Sequence, residues 1–385
     1  MIVNETGSAP ETPAGPAPTI PAIAHASARR GHVPELDGLR AFAIWFVLVA
    51  HLLFTWPTTS AATAFLPGPV AGFLQHGWLG VDLFFVLSGF LITGILLETK
   101  SRGSRAYFKR FYIRRAARIL PLYFTLLLVL FVALHGQYAP FFALCALMSA
   151  TLSSLFHIRI PDAAGPYWSL AVEEQFYLVW PWLVLWLDAR RLGYAALAVI
   201  AIEPFVRFGA GPHELELTWF RADGLAVGAY VAIWFASWSG DRRSAGRFAL
   251  ALAGAAALVT AIGIPFGILH KGDLSTSIRI TQAVLVFGAV VVVAVAYSGH
   301  PAIAFLRSPV LALTALLSYC LYLVHKPVTD AFAWAASAVP FYANLPPEAS
   351  LAVRIACVIA IAYGVAALSR RFLELPFIAL AQRRS

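Results

Sequence analysis

Runs of about twenty apolar residues, the length that crosses a bilayer as a helix, recur from Leu36 almost to the end of the chain. A chain of this kind has few architectures open to it. Out of contact with water, every backbone N–H and C=O must be satisfied within its own segment, and a helix does this. Of 385 residues, 60% are hydrophobic and only 12% charged, and mean hydropathy is +0.76. A soluble chain carries about a quarter charged residues. The expected fold is all-α, a polytopic membrane bundle of about ten transmembrane helices.

The crossings are placed at Leu36–Trp56, His76–Glu98, Ile119–His135 and Tyr167–Leu187, then near 193–209, 218–238, 248–269, 279–297, 309–325 and 350–369. Residues 140–157 are apolar but too short to cross, and are read as a re-entrant or surface-lying segment. Between the second and third crossings stand Lys100, Arg102, Arg105, Lys109, Arg110, Arg114, Arg115 and Arg118, with no acid among them. The positive-inside rule makes this loop cytoplasmic, and with it both termini. Residues 1–33 are rich in Pro and Ala, with no apolar stretch after a basic start. They read as a disordered cytoplasmic tail without a signal peptide. Residues 34–380 form the membrane-embedded unit, and 381–385 a basic cytoplasmic tail. The net charge of +9 falls in alternate loops, so it marks topology against a lipid bilayer and excludes nucleic acid as partner. Cys145, Cys320 and Cys357, all in apolar runs, give neither a disulfide framework nor metal-ligand spacing, and no metal is expected.

Several crossings hold groups that a lipid-facing helix would not keep. The first carries Asp37, Arg40 and His51. Arg40 and His51 are eleven residues apart, about three turns, so they share a face with about 16 Å between them. Arg40 lies near one surface and His51 at depth. In WSLAVEEQFY, Ser169, Glu173 and Tyr177 recur at four-residue spacing as a hydrogen-bonded set. Arg221 and Asp223 enter another helix, and His325 ends a further apolar stretch. A single such pair is ordinary helix glue, whereas four sets toward one membrane face line a cavity. Arg114, Arg115 and Arg118 suit phosphate through their forked guanidinium groups, although anionic headgroups attract the same clusters.

Six segments in this order resemble acyltransferase family 3, integral membrane O-acyltransferases of bacteria. They are LDGLRAFAIWFVLVAH, GVDLFFVLSGFLI, RRAARILPLY, WSLAVEEQFYLVWP, FRADGLAVG and SYCLYLVHKP. The resemblance covers roughly residues 33–380. It implies an inner-membrane enzyme that moves an acyl group, acetyl above all, from cytoplasmic acyl-CoA to a hydroxyl of a cell-surface or exported glycan. It also implies catalytic roles for Arg40, His51 and Glu173, with acyl-CoA held by Arg114, Arg115 and Arg118. Asp37, Ser169, Tyr177, Arg221, Asp223 and His325 are expected to line the cavity. On this reading His51 acts as general base on the acceptor hydroxyl or carries the acyl group itself. A carboxylate such as Glu173 holds its imidazole, and Arg40 orients the donor or pairs with Asp37. With the sequence ending at Ser385, the esterase-like C-terminal domain of some members is expected to be absent. A small-molecule or lipid acceptor, such as a macrolide, is the alternative within this chemistry. A secondary transporter or flippase is the alternative outside it.

Overall fold

The computed structural model describes residues 32–54, 66–207, 210, 214–266 and 273–384. The tail expected over residues 1–33 lies, but for its last two residues, outside them. Among the described residues there is no strand. The helices are α1 (Pro34–Phe54), α2 (Gly68–Gln75), α3 (Gly80–Thr99), α4 (Ser104–Ala133) and α5 (Ala139–Ala146). They continue with α6 (Tyr167–Trp186), α7 (Ala189–Val206), α8 (Ala222–Ala236), α9 (Arg242–Gly263) and α10 (Asp273–Ala296). The chain finishes with α11 (Pro309–Ser337), α12 (Pro340–Ala343), α13 (Pro347–Ser369) and α14 (Leu375–Arg384). The basic residues expected as a tail after 380 continue α14 up to Arg384.

Among the described residues, seven helical stretches are long and apolar enough to cross a membrane, rather than ten. The crossings that fall short are α6, α7 and α8. α8 has only 15 residues, α7 includes Arg190, Arg191 and Glu203, and α6 includes Glu173 and Glu174. These helices pack among the long ones; Glu173 and Glu203 turn to internal partners, whereas Arg190 and Arg191 are exposed. Outward faces are apolar: Phe205 is 80% exposed, and Leu128, Val132 and Trp186 are exposed beside it in kind. In water such a surface is an aggregation hazard, and in a bilayer it is the solvated face.

α4 begins at Ser104, so the basic stretch from Arg105 to Arg118 is helix rather than loop. Residues 139–157 do not cross. They form the eight-residue α5 and a 3-10 turn at Ala150–Ser153, and His135, Met148 and His157 adopt left-handed φ of 50°, 53° and 51°. Three such residues break any continuous helix here.

Helix starts follow local chemistry. The Asp188 side chain accepts from the Arg191 N–H, and Ser308 caps α11 ahead of Pro309. Asp241 accepts from the N–H groups of Arg243 and Ser244, which hold its carboxyl below the usual range. α1 runs against α11 and α3, while α3 packs most closely on α8. At that crossing a Cβ on Gly89 would lie 2.0 Å from the Leu225 carbonyl oxygen, and one on Gly228 2.0 Å from that of Val86. Only glycine permits this approach, the small-residue packing of membrane helices. The contact fixes α3 and α8, and with them the walls of the site.

Candidate active site

The one face of α1 that carries Arg40 and His51 opens onto different chambers at its two ends. At the basic end a basin of about 690 Å³ is lined by Asp37, Arg40, Arg114, Arg118 and Arg370. At the far end a cavity of about 910 Å³ holds His51 among Trp78, Trp168, Glu216, Arg221 and Lys326. A waist of about 110 Å³ lies between, walled by Arg40, Arg115, Arg118, Ser169, Glu173 and Tyr177. The waist shares Arg40, Arg118 and Tyr319 with the basin, and Val81 and Tyr322 with the large cavity. The three chambers therefore stand in series, from arginines to histidine.

At the basic end Arg40 pairs with Asp37 at 3.7 Å, and His32 closes on the same carboxylate. The Arg115 guanidinium stacks 5.2 Å from the ring centre of Tyr177. Among the described residues, no ion pair joins Arg115 or Arg118 to a carboxylate. In the waist the Tyr177 hydroxyl donates to Glu173 at 3.0 Å, and Ser88 bonds that phenol in turn. The expected set on α6 therefore divides. Glu173 and Tyr177 meet, while Ser169 bonds the Tyr322 hydroxyl of α11 at 2.6 Å.

His51 Nδ1 lies 2.9 Å from the Val47 carbonyl oxygen. A carbonyl only accepts, so Nδ1 carries the proton and Nε2 is the basic nitrogen. The structure places Glu173 in the waist with Tyr177 rather than beside this ring, and a helix carbonyl holds the tautomer instead. The near neighbour of His51 is another histidine. The His325 ring is 5.0 Å away, centre to centre, tilted by 53°, and is buried.

Arg221 lines the large cavity, whereas Asp223 is fully buried, lines none of these chambers and does not pair with Arg221. Arg221 reaches Asp82 of α3 at 3.1 Å and stands between the rings of Trp78 and Trp168, at 5.6 and 5.0 Å. Asp223 binds Arg207 at 2.7 Å.

Comparison with known proteins places the chain in a family. The family described as an acyltransferase domain, Acyl_transf_3, matches residues 33–369. The chain belongs to acyltransferase family 3. It is 34% identical over 175 residues to the peptidoglycan O-acetyltransferase OatA of Listeria monocytogenes, covering 40% of this chain and 25% of that protein. It is 31% identical over 172 residues to the O-acetyltransferase OatA of Staphylococcus aureus, covering 41% and 26%. The aligned stretches thus span about a quarter of the length of these relatives. No solved structure matches the chain.

Sequence reading of this acyltransferase family 3 chain missed Asp82, Glu203, Arg207 and Glu35, all buried and all paired. Arg207 also bonds the Thr281 hydroxyl and donates to the Phe220 carbonyl at 3.0 Å, and Glu203 accepts from the Ala222 N–H at 2.9 Å. Glu35 accepts from Ser298 and from the Gly299 N–H, both at 2.9 Å, and faces Arg307 at 3.5 Å. The signal was present. GVDLFFVL and AIEPFVRF each set charge inside an apolar run, the same sign that marked Arg40 and His51. Among the described residues, no three His, Cys, Asp or Glu side chains gather as metal ligands do.

Proposed function

We propose that this chain moves an acyl group, acetyl, from cytoplasmic acyl-CoA to a hydroxyl of a cell-surface or exported glycan at the inner membrane. The observation that carries the reading is the row of chambers joining an arginine basin to His51. An elongated donor with phosphates at one end and a thioester at the other suits a row that is rich in arginine at one end and holds His51 at the other. The phosphate end would rest on Arg114, Arg115 and Arg118, with Arg370 on the same basin. The pantetheine arm would pass the waist beneath Glu173 and Tyr177 and bring the thioester toward His51. The relatives' names, peptidoglycan O-acetyltransferase and O-acetyltransferase, favour acetyl as the group and a glycan as the acceptor.

In the step itself, His51 Nε2 takes the proton of the acceptor hydroxyl as the oxygen attacks the thioester carbonyl carbon. A C–O bond forms and the C–S bond breaks. The thiolate leaves and receives the proton from the imidazolium, so that CoA departs as the thiol and His51 is neutral again. The bond from Nδ1 to Val47 holds Nε2 in the basic form before the step and again after it. Arg40, braced by Asp37 where basin and waist meet, orients the donor.

The test is acyl-CoA binding and turnover by the purified full chain in detergent. Wild type is compared with His51→Ala and with a protein changed to Ala at Arg114, Arg115 and Arg118. Wild type should bind and turn over acyl-CoA, the histidine variant should bind without turnover, and the arginine variant should bind poorly. A wild-type protein that ignores acyl-CoA but accumulates solute against a proton gradient in vesicles overturns the reading in favour of transport.

A further inference from the structure

We infer that the arginine basin also holds the adenine base of the donor, and that Glu374 reads its exocyclic amino group. The inference rests on the function proposed above and assigns the part of the donor that the arginines leave unplaced. Phosphates need positive charge and hydrogen-bond donors, which Arg114, Arg118 and Arg370 supply at this basin. They have no use for an apolar wall, and the basin has two. Ala312, Ala315 and Leu316 line it from α11 at i, i+3 and i+4, so they form one helix face. Ile378 and Ala381 line it from α14 at i and i+3, forming another. The alanine methyl groups leave depth between the helices for a flat, weakly polar ring.

The basin also contains a carboxylate. A single π turn, Arg370–Glu374, joins α13 to α14 and brings Glu374, 6% exposed, into the lining. Such turns are rare and occur frequently at functional sites. Among the described residues, the Glu374 carboxylate takes one long hydrogen bond, from the Ser369 hydroxyl at 3.4 Å, and joins no ion pair. Asp37, the other acid lining the basin, is closed by Arg40 and His32. An open carboxylate would only repel a ligand made of phosphates. It has a use when the ligand also carries a donor, because a carboxylate only accepts. The exocyclic amino group is the one N–H donor on the adenine of a nucleotide.

Glu374, Ile378 and Ala381 lie beyond residues 33–369, so the base subsite draws on residues outside the family match. The donor class is thereby narrowed to an adenine-nucleotide thioester. An acyl group carried on the phosphopantetheine of a carrier protein brings no base to fill the basin.

The experiment measures binding of three probes to the full chain in detergent. They are CoA, its analogue with purine in place of adenine, and 4′-phosphopantetheine, which lacks the nucleoside. Wild type should bind CoA about tenfold more tightly than the purine analogue, the effect of one hydrogen bond to a charged acceptor. In Glu374→Ala the two should bind within about twofold of each other. In Glu374→Gln, which keeps a carbonyl acceptor, a preference of about threefold should remain. Ile378→Trp fills the basin, and should weaken CoA about tenfold while changing 4′-phosphopantetheine less than about twofold. The inference is overturned if wild type does not distinguish adenine from purine, or if Ile378→Trp binds CoA as wild type does. It is equally overturned if Glu374→Ala shifts both nucleotides alike and keeps the tenfold preference, as a mere counterion to the arginines would. Should wild type turn over no acyl-CoA, the proposed function fails by itself. Adenosine 3′,5′-bisphosphate then decides the base subsite: wild type should prefer it to its purine counterpart and Glu374→Ala should not, and a wild type without that preference sinks the subsite as well.

Discussion

Arg221 is matched to Asp82 at 3.1 Å and Arg207 to Asp223 at 2.7 Å at the far end of the passage, whereas among the described residues Arg115 and Arg118 at the basic end form no ion pair with a carboxylate. Both groups of arginines line or brace cavities, and both lie in a chain of very low charge content. The difference lies in what neutralises them. A buried guanidinium closed by its own acid is part of the scaffold, and it asks nothing of a ligand. A guanidinium that only faces a carboxylate across a cavity, as Arg115 and Arg118 face Glu173, keeps donors that an anion can fill. On the proposed function, the same residue type builds the wall at one end and binds the donor at the other. His51 lies at the far end, where Arg221 and Arg207 are closed by their own acids, and on the proposed function the uncharged acceptor hydroxyl binds there.

Substitution at the junction should have the largest effect. His51→Ala should cut acyl-CoA turnover by about 10³-fold or more while leaving donor binding near wild type. Loss of binding along with turnover would mean that the two ends are one site and would erase the distinction. Next in size is the scaffold. Asp82→Ala leaves Arg221 buried without its acid and should cost about 3–5 kcal/mol, read as a Tm several degrees lower in detergent. Changing Arg114, Arg115 and Arg118 to Ala should do the reverse. Tm should hold within a degree or two, acyl-CoA Kd should weaken about 100-fold, and the wild-type affinity should itself fall as salt is raised. If the triple change unfolds the protein and Asp82→Ala does not, the assignment of scaffold and ligand ends is reversed.

How much of this was legible in the sequence depended on distance along the chain. Apolar runs marked the long helices because hydropathy is a local property, and the start of α4 was missed for the same reason. Its first turns are rich in Arg and Lys, which a hydropathy reading takes for loop although both are good helix formers and no proline intervenes before Pro121. The Arg40–His51 spacing gave their common face, since both ride one helix. Partners on other helices were another matter. The bond from Arg221 to Asp82 spans 139 residues, and that from Ser169 to Tyr322 spans 153. Nothing local distinguishes Asp82 from Asp223 as the acid for Arg221. The expected pairing of Glu173 with His51 failed for that reason, and a second histidine 274 positions away in the chain, 325 − 51, took the adjacent place.

The smallest effect expected is at Glu216, which tests whether charge at the far end is fully balanced. This residue lies in the 3-10 turn Glu214–Glu216 on the wall of the large cavity, and burial pushes its carboxyl up to about 7 against the opposing pull of Arg221. A carboxyl raised in the folded state binds its proton more tightly there than in the unfolded chain. Its contribution to stability is therefore complete below the unfolded value of 4.5 and is lost as pH climbs toward 7. At about 1.36 kcal/mol per unit the ceiling is about 3 kcal/mol, and the partial exposure of the side chain brings the expected loss to about 1–2 kcal/mol. Glu216→Gln removes the ionisation without changing shape. Thermal unfolding should show the variant level with wild type at pH 4 and more stable at pH 8. A variant level with wild type at both pH values would mean that Arg221 offsets the Glu216 charge as well as that of Asp82. The contrast between a balanced far end and an open basic end would then be sharper than the ion pairs alone make it.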